Sequence, residues 1–149
     1  MKMLAYVMLF AAFLLLMSCA TVKNNAPIKI TTSKTNLLYA SRLPAELFDT
    51  LSRRIVSETQ AKLQSDGIVV STSEKDNFDT LILLIDYDSF EDSSWGNKTI
   101  FTMKGKLSLT NPKNKQLIFS EKFDEAMDVI SDFPEPMSKL ISNKVSLHF

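Results

Sequence analysis

Over 149 residues, 17 Lys and Arg balance 17 Asp and Glu, so the chain has no net charge at neutral pH and no basic field of the kind that holds a nucleic acid. A single Cys and a single His exclude an internal disulfide and a Cys/His metal centre, and three scattered Gly exclude a Gly-rich phosphate loop. No Gly-x-Ser-x-Gly elbow is present, and any Ser–His pair would have to use the penultimate His148.

Lys2 precedes an almost wholly apolar run from Met3 to Met17. Its length fits the h-region of a signal peptide and falls short of the roughly 20 residues a membrane-spanning helix needs. The run ends in Leu16-Met17-Ser18-Cys19. This resembles the bacterial lipobox, with a branched apolar residue three positions before the cysteine and a small residue just before it. The resemblance implies a signal peptide over 1–18, recognised through Leu16 and Ser18. It also implies cleavage before Cys19 and a covalent diacylglycerol plus an N-acyl chain, palmitate for example, on Cys19. No other cofactor and no metal is expected. Ala20 stands where an aspartate would favour inner-membrane retention in lipoproteins of the enterobacterial kind, so the resemblance implies an outer-membrane anchor facing the periplasm. Residues 19–26 read as a lipidated tether, small and polar after Cys19. Residues 27–149 read as one domain, and the mature part from Cys19 onward carries 17 acidic residues against 16 basic ones once Lys2 is removed from the 17.

Within that domain, Ile28 and Ile30 alternate with polar residues as a first strand. Ser41 is placed to cap a helix that tolerates Pro44 in its first turn. Leu47, Phe48, Leu51, Ile55, Thr59 and Leu63 form its buried stripe, and Asp66-Gly67 ends it. Ile68–Thr72 reads as a short strand, Ser73–Phe78 as a polar connection, and Asp79–Phe90 as a central strand covered on both faces. Glu91–Asn97 reads as a loop. Lys98–Thr110 alternates, with Phe101, Met103, Leu107 and Leu109 on one face and Thr102, Lys104, Lys106 and Ser108 on the other. Gly105 falls on the apolar face and marks a bulge or a close backbone approach. Gln116–Phe123 returns across a five-residue turn, with Leu117, Phe119 and Phe123 in phase. Asp132–Pro136 opens a last helix faced by Met137, Leu140, Ile141, Lys144 and Val145. The order predicts an α+β fold: a mostly antiparallel sheet of about four or five strands with two helices on one face.

Little in the chain reads as chemistry. Asp86-Tyr87-Asp88-Ser89-Phe90-Glu91-Asp92 is the densest polar group, but a calcium loop needs a glycine turn and a distal glutamate that are missing. It reads as a solvated strand end, with a weak cation site as the alternative. Trp95, the only tryptophan, either folds back over the sheet edge or stands out as an anchor for a partner. If both helices cover one sheet face, the other face carries Thr102, Lys104, Lys106, Ser120 and Lys122, a polar surface suited to a wet, transient interface. Trp95, Lys104 and Lys106 are the candidate partner contacts. Val145, Leu147 and Phe149 alternate as in the last strand of an outer-membrane barrel, but the strands are too few for one.

The segments LPAELFDTLSRRIVSETQAKLQSDGIVV, DTLILLIDYDSF and TMKGKLSLTNPKNKQLIFSEKF together resemble the ABC-type transport auxiliary lipoproteins, with Leu83, Ile85, Phe90, Leu107, Leu109 and Phe123 at that family's apolar positions. The lipopolysaccharide-assembly lipoproteins have a similar layout. Either resemblance implies a non-enzymatic accessory lipoprotein that binds a protein, or lipid, partner in an envelope transport or assembly machine. A structural or surface-displayed lipoprotein, and a hydrolase of unrecognised type, are the alternatives.

Overall fold

A computed structural model describes residues 25–72 and 79–149. The leader, Cys19 and the connection over 73–78 lie outside the described residues. The elements run β1 (Ile28–Ser33), β2 (Leu38–Ala40), α1 (Ala45–Ser65), β3 (Leu81–Trp95), β4 (Lys98–Asn111), β5 (Gln116–Met127), a short 3₁₀ turn (Ile130–Asp132) and α2 (Pro134–Ser146). They form the expected α+β fold, with a five-stranded open sheet in the order β1-β3-β4-β5. Strand β2 pairs with β3 beyond the end of β1, so two short strands share one edge of a long one. Both pair parallel to β3, because α1 carries the chain back across the sheet before β3 begins. The long β3–β4 and β4–β5 ladders are antiparallel.

Helix α1 buries Phe48, Leu51, Ser52, Ile55, Thr59 and Leu63, a single stripe at three- and four-residue steps. Leu47 lies off that stripe and is 38% exposed, which corrects its assignment to the core. Ser41 does not cap the helix. Its hydroxyl accepts from the backbone N–H of Leu43, and Pro44 takes the N-cap position with no side-chain cap. The C-terminus closes as a Schellman turn: Ile68 N–H reaches the Leu63 carbonyl at 2.9 Å and Gly67 N–H the Gln64 carbonyl at 3.1 Å, with Gly67 at φ 81°. The following segment is not a strand. It makes one parallel bridge, Val70 to Ile28, and Val69 is exposed.

Sheet and helices meet in one core. Leu81, Leu83, Ile85, Tyr87 and Phe90 of β3, Met103, Leu107 and Leu109 of β4, and Phe119 and Phe123 of β5 face Phe48, Leu51 and Ile55 of α1 and Met137, Ile141 and Val145 of α2. Phe48 lies edge-on to Tyr87 with ring centroids 5.2 Å apart, and Phe133 lies edge-on to Phe90 at 6.2 Å. Two bulges set which residues reach this core. The register slips between Tyr87 and Ser89, so Asp88 is the extra residue and Tyr87 and Phe90 both point at the helices. It slips again where Leu109 pairs with Phe119 but Thr110 pairs with Leu117. That second slip turns Leu117 to the opposite face, 55% exposed, and corrects its expected phase with Phe119 and Phe123.

Candidate functional site

The face of the sheet turned away from the helices follows from the pairing register, because directly paired residues share a face. Its rows run Lys29–Ile82–Thr110–Leu117, then Thr31–Leu84–Ser108–Ser120, then Ser33–Asp86–Lys106–Lys122, then Leu38–Ser89–Lys104–Asp124. Further along β3 come Glu91–Thr102–Ala126, Ser93–Ile100 and finally Trp95–Lys98. No described element covers this face, and Lys104, Lys106, Lys122 and Asp124 are exposed on it. The expected polar surface is therefore in place. The register also adds an apolar end of half-buried Ile82 and Leu84 with exposed Leu117.

Charge on the face is uneven. Lys104 Nζ lies 3.4 Å from Asp124 Oδ2, an exposed pair worth little. Lys106 sits directly between Asp86 and Lys122 and has no ion-pair partner among the described residues. Asp86 Oδ1 is buried without a hydrogen-bond partner. Two adjacent lysines thus leave a small positive surplus mid-face.

Trp95 is placed by a hairpin that differs from the expected loop. Glu91–Trp95 continues β3, and the turn is only Gly96-Asn97, since Trp95 pairs with Lys98. Gly96 takes φ 59° at the first central position, where a tight hairpin requires a left-handed residue. The indole therefore stands at the sheet's tip on the open face, 84% exposed, and does not fold back over the edge. Gly-Asn between two strand-like runs is itself a hairpin signal, and it makes this longer strand readable from sequence.

The acidic group disperses instead of converging. Asp86 lies on the open face, and Asp88 occupies the bulge. The Asp92 carboxylate, only 5% exposed, accepts the Arg42 backbone N–H at 2.8 Å and ties the β2–α1 connection to β3. Its role is structural, and no metal-binding cluster of three His, Cys, Asp or Glu occurs among the described residues. His148 is stacked on Phe119 with ring centroids 5.0 Å apart, packed against the domain and not frayed. Val145 and Ser146 end α2, so no terminal strand of barrel type forms.

No family model and no curated protein matches the chain. Among solved structures it is similar to protein XCC0632 from Xanthomonas campestris, of family DUF330, at 16% identity over 86% of each chain with a TM-score of 0.52. It is similar to the hypothetical protein CT253 from Chlamydia trachomatis at 10% identity, over 81% of this chain and 95% of that one, with a TM-score of 0.53. Lipoprotein GNA1162 from Neisseria meningitidis aligns at 14% identity over 81% of this chain and 97% of that one, with a TM-score of 0.49. At such identities the likeness to the first two is one of fold.

Proposed function

We propose that this is a lipid-anchored accessory protein of the bacterial envelope, without catalytic activity of its own, that binds a protein partner through its open sheet face. Acyl chains on Cys19 hold it to the outer membrane, with the domain in the periplasm. The partner belongs to a transport or assembly machine. The observation that carries the binding role is Trp95, 84% exposed at the tip of a long hairpin. A domain gains no stability from a tryptophan left in water, whereas an interface gains a large apolar anchor. The lysine surplus at Lys106 and Lys122 adds a preference for an acidic partner surface, and the polar rows around it suit a contact that forms and releases.

The test is capture from envelope extract with the detergent-solubilised, processed protein, comparing wild type, Trp95→Ala and Lys106→Glu. A partner held by wild type should be lost with Trp95→Ala, and Lys106→Glu should weaken its capture most at low salt. Circular dichroism should show both variants fully folded. Equal capture by all three would remove the open face as the binding surface.

A further inference from the structure

At the end of the domain where the described chain begins, Asn25 and Ala26 help line a groove of about 840 Å³. Its other walls come from the turn after α1, with Ile68 and Val69, and from the end of α2, with Leu147 and Phe149. Val69 is 62% exposed and Leu147 78% exposed, and neither has a place in the core. The strand register puts Leu117 at this same end. Ile28 opens β1 beside Leu81, one residue before Ile82, which pairs with Thr110, and Thr110 in turn pairs with Leu117. Three of the large apolar side chains left in water therefore gather at the pole where the tether enters. The Trp95 tip lies at the opposite end of β3, about 45 Å away for a strand of 15 residues.

We infer that this pole rests on the phospholipid bilayer, with Val69 and Leu147 entering the headgroup boundary, so that the Trp95 hairpin points away from the membrane. The inference rests on the lipid anchor proposed above. From Cys19 to Asn25 there are six residue steps of at most about 3.6 Å, so the groove stays within roughly 20 Å of the acylated sulfur. At so short a reach the contact is intramolecular, and a patch too small to bind vesicles from solution is engaged because its effective concentration is high. Exposed apolar side chains at a membrane boundary lose their contact with water there, which accounts for Val69 and Leu147. The polar rim, where Ser146 donates to the Asp66 carboxylate, remains at the wet headgroup level.

The test uses the full processed protein on vesicles containing brominated phospholipid, a contact quencher of tryptophan. In a Trp95→Phe background, Leu147→Trp and, separately, Val69→Trp place the sole indole at the pole. Both positions are exposed, so the substitutions are tolerated. The wild-type protein, with its single Trp95 at the far tip, is the control. The introduced indoles should shift to shorter wavelength and lose most of their emission on brominated vesicles, while Trp95 emission stays as in plain vesicles. Intact mass of each sample separates the two ideas. Acylated protein with unquenched indoles at both polar positions overturns the contact and leaves the anchor standing. Unacylated protein overturns the anchor and the contact with it, because a patch this small does not hold the bilayer without the acyl chains.

Discussion

A methyl group at position 105 would meet the carbonyl oxygen of Asp86 and lie 2.5 Å and 2.8 Å from two ring carbons of Phe123. Gly105 pairs with Tyr87 on one side and Phe123 on the other, and those two rings close over it with centroids 6.1 Å apart. The glycine is there so that two aromatic side chains can fill the space above it. Gly105→Ala should therefore destabilise the domain by about 1–3 kcal/mol, the range for overpacking a core, seen as a lower denaturant midpoint. Tyr87 carries a second prediction at this scale. Burial pushes its phenol from 10.0 to about 12, with the hydrogen bond donated by Ser52 drawing it partly back. The unfolded chain releases this proton near pH 10 and the folded chain only near pH 12, so the folded state binds more protons in between. Stability is whole below that window and falls as pH rises through it, by about 1.4 kcal/mol per pH unit. Tyr87→Phe should cost about 1 kcal/mol at neutral pH and remove most of that alkaline slope. Denaturant unfolding followed up to pH 12 reads both, and an unchanged slope would show that other groups cause the alkaline loss.

Helix α1 gives the clearest contrast among the elements. Leu51 is 4% exposed and Leu47 38%, though both fall on apolar spacings. Leu51→Ala should cost about 2–5 kcal/mol, and Leu47→Ala no more than about 1 kcal/mol. Equal thermal shifts for the two would mean that the helix is rotated about its axis. The helices were legible in the sequence because a 3.6-residue apolar period survives over several turns, as it does from Phe48 to Leu63. The β4–β5 hairpin was legible from alternation. Features that depend on a partner strand were not. Nothing near Leu117 announces that β5 slips by one residue against β4, and nothing near Asp88 announces the bulge that turns Phe90 inward. Parallel pairing of β1 and β2 with β3 is likewise invisible in any one strand. On the candidate site, Lys104 and Lys106 followed from alternation alone. The exposure of Trp95 depends on the Gly96-Asn97 turn, which converts an apparent loop into five more residues of strand.

For the molecule as a whole, the anchor and the Trp95 tip of the binding surface, both proposed above, fall at opposite ends of β3. The sheet is long in one direction because β3, β4 and β5 span 15, 14 and 12 residues. Asn25 and Ala26 lie at one end, and the Trp95 hairpin projects from the other. With the acyl anchor proposed on Cys19, a protein built this way stands on a membrane and reaches outward with Trp95. That account stands or falls on acylation of Cys19, and intact-mass and peptide mass spectrometry of the membrane-extracted protein test it most directly. The mature chain should begin at Cys19 and carry a diacylglycerol and an N-acyl chain on it, and Cys19→Ala should leave the uncleaved precursor in the membrane fraction. A wild-type chain with an unmodified Cys19, or one that still begins at Met1, would contradict it.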